Sequence, residues 1–166
     1  MRPVDGTRRD GEHDGTGPTV VDRVALRDLV DAYARAVDRR DVSAVAALFT
    51  ADGRLVSRLH DTGGDAPIVR QGHDEITAAL TAGLDRYLLT THVVGGQVVT
   101  IDGDRATGDT VCLAHHVYEK GGARRMLVMA VRYADIYARQ AGGWGFAERQ
   151  LTLDWREDRA LEEKLP

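Results

Sequence analysis

From Leu88 onward the hydrophobic periodicity switches from helical to strand-like. It gives four long runs separated by Asp102-Gly103-Asp104, Lys120-Gly121-Gly122 and Ala141-Gly142-Gly143. Runs joined by such tight turns pair with their neighbours in sequence, so the C-terminal half is expected to be an antiparallel meander. Val93, Val94, Val98, Val99 and Ile101 are β-branched and suit a pleated, half-buried surface. His92 and the pair His115-His116 then fall on adjacent strands of one hairpin. Because successive side chains leave a strand on opposite faces, His115 shares a face with Val111, Leu113 and Val117, and His116 with Cys112, Ala114 and Tyr118. Only one of the two can face a given pocket.

The half before Leu88 reads differently. Thr19 or Asp22 can cap a helix whose apolar positions Leu26, Val30, Tyr33 and Val37 form an amphipathic stripe, with the helix running to about Arg40. Asp41 caps a shorter helix over Val42 to Phe49, which Ala51-Asp52-Gly53 stops. Arg54 to His60 and Ile68 to Arg70 read as short strands flanking a Gly/Asp/Pro loop. Gly72-His73-Asp74-Glu75 opens a third helix with an inner face of Ile76, Leu80 and Leu84, ending near Tyr87. Helices gathered first and long strands last predict an α+β class, with a curved sheet packed on helices from one side and a cone between them.

Composition narrows the partners. The chain has 166 residues, 43% of them hydrophobic and 29% charged, which suits one domain with its own core, expected over residues 19–157. A net charge of −4 and a pI near 5.8, without a basic block, argue against nucleic acid. No run approaches the roughly 18 apolar residues that a membrane span requires. Residues 1–18 lack an apolar core segment and read as a disordered leader, and residues 158–166 as a charged tail, helical or loose. The single cysteine, Cys112, permits no internal disulfide and favours a reducing cytoplasm.

Several side chains carry candidate chemistry. Arg149 alternates with Ala147, Leu151 and Leu153, an apolar face on which a lone guanidinium is costly, so an anionic partner inside the cone is expected. Tyr33 lies on the inner stripe of the first helix, where packing alone explains it, although its hydroxyl is available as a weak acid. Asp38 lies about 140° from Tyr33 on an ideal helical wheel, toward Arg27, Asp31 and Ala34. Both can line one pocket only if the helix end distorts or the pocket is wide. His115 and His116 point to opposite faces, which disfavours a metal site built from the pair, and no cofactor or metal is expected.

The segments ALRDLVDAYARAVDRRDVSAVAALFTADG, GHDEI and WGFAERQLTLDW resemble the SnoaL-like branch of the nuclear transport factor 2 superfamily over roughly Val20 to Arg156. That resemblance implies a cystatin-like, cone-shaped α+β barrel. It is a fold that serves isomerases, dehydratases, dehydrochlorinases, cyclases, epoxide hydrolases and binding proteins alike. Within it the chain is most similar to the scytalone dehydratase, hexachlorocyclohexane dehydrochlorinase and bile acid 7α-dehydratase group. That similarity implies a dyad of Asp38 and His92, with Tyr33, Arg149 and His115 at further functional positions.

What the resemblance implies is a lyase or isomerase acting on a small apolar cyclic molecule, polyketide-, steroid- or terpenoid-like. His92, oriented by Asp38, removes a proton, while Tyr33 or His115 donates to the oxygen that gains charge and Arg149 stabilises the anion. It also implies a homo-oligomer, a trimer in preference to a dimer. The alternatives are a ligand-binding or assembly module without turnover, and a polyketide cyclase or epoxide hydrolase in the same cone.

Overall fold

The computed structural model describes residues 20–58 and 66–161. Three helices, α1 (Val20–Asp38), α2 (Val42–Ala47) and α3 (Gly72–Leu84), accompany six strands: β1 (Phe49–Arg58), β2 (Ile68–Gln71), β3 (Leu89–Asp102), β4 (Arg105–Lys120), β5 (Ala123–Gln140) and β6 (Gly143–Ala160). The strands form one sheet in the order β2-β1-β6-β5-β4-β3. All neighbours are antiparallel except β1 and β6, which run parallel. The three expected glycine turns join the four long strands as the periodicity predicts. The leader over residues 1–18 and the possible cap Thr19 lie outside the described residues.

Boundaries shift in two places. The second helix ends at Ala47, and Phe49 already belongs to β1, so Ala51-Asp52-Gly53 lies inside a strand instead of ending a helix. Phe49 is fully buried and pairs with Phe146 of β6, and that tertiary pairing overrides the local helical pattern. At the other end β6 extends to Ala160, with Asp158 opposite Leu127, so the first three residues of the expected tail are strand.

The stripe Leu26, Val30, Tyr33 and Val37 is buried without exception and packs with Val45, Phe49, Ile76 and Phe146 against the concave face of the sheet. The polar residues of Val37-Asp38-Arg39-Arg40-Asp41 explain how the helices are fastened. Asp41 caps α2 by accepting from the Ala44 amide at 3.0 Å. Arg40, held at φ 59° in the tight turn, donates to the carbonyls of Leu84 and Tyr87 at the end of α3, a cation at a helix C-terminus. Asp22, also considered as a cap, instead accepts from Arg139 at 2.9 Å and Trp144 at 3.1 Å, tying α1 to the β5–β6 hairpin.

In the GHDEI segment, the Glu75 carboxylate accepts from the Gln71 amide at 3.0 Å, in the manner of a capping box. His73 meets the Phe49 carbonyl through Nε2 at 3.1 Å. Gly53 has no room for a side chain. A Cβ there would lie 2.8 Å from the Phe146 carbonyl oxygen and 2.9 Å from that of Thr50, both backbone atoms that cannot swing aside. Gly53→Ala is therefore expected to lower stability by about 1–3 kcal/mol, the usual range for overpacking, read as a lower urea midpoint at unchanged slope. An unchanged midpoint would mean that β1 shifts freely against β6.

Candidate active site

The last helical residue of α1, Asp38, meets the start of β3. Its Oδ1 lies 2.7 Å from His92 Nδ1, its Oδ2 accepts from the His92 backbone N–H at 2.9 Å, and Oδ1 also accepts from Thr90 Oγ1 at 3.0 Å. Burial opposes ionisation of Asp38, but these three hydrogen bonds outweigh it and hold the carboxyl below its ordinary range. An ionised carboxylate on Nδ1 fixes the tautomer with the proton at that nitrogen. That leaves Nε2, which has no partner among the described residues, as the acceptor.

The helical wheel is respected. Tyr33 lines an internal cavity, whereas Asp38 opens on an outer groove with Asp31, Arg35 and Arg39. His92 lines both, so the imidazole spans the wall between them and no distortion of the helix is required. Its side chain is only 8% exposed, against 25% for Asp38.

The cavity measures about 320 Å³. Val37, Leu55, Leu80, Leu84, Met129 and Leu151 supply much of its apolar wall, and Tyr33 and Tyr133 part of its floor. The two β4 histidines separate as strand alternation requires, but in the opposite sense to the one the resemblance implied. His115 lies on the outer face of the sheet with Leu89, Thr91, Val93, Val117 and Met126. His116 is the one buried in the cavity, its ring 5.6 Å from that of His92 and edge-on to it, and 4.4 Å from that of Tyr87. The apolar pattern pointed the other way: Val111 and Leu113, the bulkier apolar residues, are exposed, while Cys112 and Ala114, which share the His116 face, are buried. Burial first, then the nearby His92 and Arg86, push the His116 pKa down from 6.5 to about 4, so its ring is neutral at pH 7.

Arg149 is fully buried and holds Asp135 in a two-pronged ion pair, Nε to Oδ1 and Nη2 to Oδ2, both at 2.8 Å. Its guanidinium carbon lies 4.2–4.3 Å from the centroids of Tyr33, Tyr133 and Phe146. It has the expected acidic partner, but it is absent from the cavity lining and sits behind the tyrosines. A direct contact with a substrate anion is not its position. Phe146 and Arg149 share a face, although three residues apart, because β6 shifts register there against β5, with Tyr137 opposite Phe146 and Ile136 opposite Glu148. Burial raises the Tyr33 pKa to about 12, so its hydroxyl stays protonated. Among the described residues no three His, Cys, Asp or Glu side chains gather as a metal site, and no helix is long and apolar enough to cross a membrane.

Because folding depresses the His116 pKa, the unfolded chain binds the extra proton first as pH falls. Stability attributable to this residue is complete above about 6.5 and declines progressively toward pH 4. In urea unfolding across that window, His116→Phe should show a shallower loss than the parent chain. Parallel curves would mean that the ring charges in place without cost.

The family comparison agrees with this architecture. A SnoaL-like domain model matches residues 18–150. A candidate aromatic ring hydroxylase from Novosphingobium aromaticivorans superposes with a TM-score of 0.72 at 25% identity, covering 87% of this chain and 96% of its own. A candidate scytalone dehydratase from the same organism gives 0.70 at 22%, covering 86% and 90%. A hexachlorocyclohexane dehydrochlorinase from Novosphingobium barchaimii gives 0.74 at 17%, covering 88% and 95%. With a match spanning most of its length and the cone-shaped sheet in place, the chain belongs to the SnoaL-like domain family.

Proposed function

We propose that the protein is a cofactor-independent lyase or isomerase that abstracts a proton from a small cyclic molecule held in the cavity, with His92 as general base. The observation that carries this reading is the 2.7 Å contact between Asp38 and His92 Nδ1. It leaves Nε2 as a base at the cavity wall and stabilises the imidazolium formed when the proton arrives. In this reading the neutral ring of His116, or the protonated Tyr33 hydroxyl, donates to the oxygen that gains charge. The likeness to a dehydrochlorinase and to a candidate scytalone dehydratase supports the fold in which such an elimination would run.

An apolar cavity of about 150 Å³ accommodates benzene. The roughly doubled volume of about 320 Å³ here suits one or two fused rings better than a four-ring steroid.

A panel of mono- and bicyclic hydroxyketones and enones in deuterated water tests the reading, with NMR following deuterium uptake beside the carbonyl and appearance of the alkene. The parent chain should exchange and eliminate. His92→Ala should lose about 10²- to 10⁴-fold in rate while still binding the ring, since the walls supply the affinity. Asp38→Asn should lose rate with little change in melting temperature. Binding of a panel member without exchange or elimination by the parent chain would instead support a binding module.

We also propose that the chain assembles as a homo-oligomer, a trimer. Leu89, Val93, Val111, Leu113 and Trp155 are exposed on the convex side of the long strands, a patch that water covers poorly in a monomer. Light scattering should give three times the 18.1 kDa chain mass, and Leu113→Glu should reduce it. A parent chain that is monomeric at micromolar concentration would remove this proposal.

A further inference from the structure

A polar stripe runs along the cavity from the proposed proton-transfer groups to a far end that this chemistry does not use. From the His92 ring it passes to His116 at 5.6 Å, to Tyr87 at 4.4 Å from His116, and to the Arg86 guanidinium, whose carbon lies 5.1 Å from the Tyr87 ring centre. Arg86 stands in the turn after α3, anchored by Nε donating to the Gly83 carbonyl at 3.1 Å. Across the opening, Arg70 on the edge strand β2 pairs with Leu55, so it shares the cavity-facing side of the sheet. Both arginines line the cavity and are exposed, which places them at its mouth.

Neither guanidinium has a carboxylate partner among the described residues. Arg70 donates to the Val69 carbonyl at 3.0 Å. Glu75, which shares an outer groove with Arg70, accepts from the Gln71 amide and forms no ion pair with it. No Asp or Glu lines the cavity among the described residues, since Asp38 stands behind His92 and Asp135 is paired with Arg149. An apolar chamber with two guanidinium groups at one end that no described carboxylate neutralises, and a base at the other, is asymmetric in charge. It favours a molecule of matching asymmetry.

From this arrangement we infer that the substrate carries an oxyanion, held by Arg70 and Arg86 at the mouth, on the side of its ring system remote from the C–H that His92 attacks. The inference rests on the proposed reading for the identity of the reacting end, but not for the anion site. The oxyanion is a spectator that orients the ring and does not depart in the reaction. Guanidinium groups suit it because their planar N–H forks match carboxylate or phosphate oxygens. A ring carboxylate and the phosphate of a carrier share this chemistry.

The test is equilibrium binding by calorimetry at low salt and pH 8. It uses 2-naphthoate and benzoate against their neutral amides, and 2-naphthyl phosphate against 2-naphthol. At least one anion should bind roughly tenfold more tightly than its neutral counterpart, equivalent to about 1.4 kcal/mol, with the preference shrinking as salt rises. Arg86→Gln and Arg70→Gln should each erode the preference and the double variant abolish it, whereas Arg86→Lys should retain part of it. A carboxylate preference identifies a ring acid, and a phosphate preference a phosphorylated carrier.

The preference should also survive in His92→Ala. An inactive protein that still selects anions would therefore overturn the catalytic reading and leave this one standing. If no anion outbinds its neutral partner, or if the double variant keeps the full preference, the mouth arginines do not read the ligand.

Discussion

The buried ion pair between Asp135 and Arg149 is the contact around which the cone is assembled. Two charges without solvent access are tolerated only when each satisfies the other, and here the two-pronged geometry does so at 2.8 Å on both arms. Tyr137 adds a third donor to Asp135 at 2.9 Å, and three aromatic rings cover the guanidinium. One of those rings, Tyr33, belongs to α1, so the charge on the sheet also fixes the height of the helix above it. Removing one member of such a pair typically costs about 3–5 kcal/mol, because the survivor is left charged and unpaired. The pair specifies where β5, β6 and α1 meet, and Arg149 Nη1 stays buried without a hydrogen-bond partner among the described residues.

The Asp38–His92 contact depends on that placement. Asp38 is the final residue of α1, and the height of the helix decides whether its carboxylate reaches β3. Arg40, two residues on, holds the end of α3, and Asp41 starts α2. The short stretch from Asp38 to Asp41 thus joins a candidate catalytic carboxylate to two structural contacts. In the proposed reading, a base seated between an outer groove and an inner cavity is also well placed for turnover. Its carboxylate partner lines the outer groove, while the imidazole also lines the apolar chamber.

The sheet presents two chemically different faces, and the histidine pair shows how they divide. His116 and His115 differ by one position and therefore by a whole face: one is buried beside His92 with a depressed pKa, the other lies among apolar side chains on the convex side. A register change in the β5–β6 ladder lets Phe146 and Arg149 point the same way three residues apart. Simple alternation would have separated them.

The sequence by itself determined the α+β class, the three helices, the glycine turns and the antiparallel order of the long strands, because hydrophobic period and turn chemistry are local properties. It also marked Arg149 as a cation on an apolar face, and so in need of an acid. Only the tertiary structure decided that the acid is Asp135, that Phe49 starts a strand, and that the face carrying His116 is the concave one. Each of these depends on which surface a distant element covers, and alternation within one strand cannot say which of its two faces that will be. For Asp38 and His92 the family pattern named the partners, whereas the helical wheel turned Asp38 away from Tyr33 and the inner stripe. The geometry reconciles the two because an imidazole is long enough to span the wall between groove and cavity, a distance that no periodicity encodes.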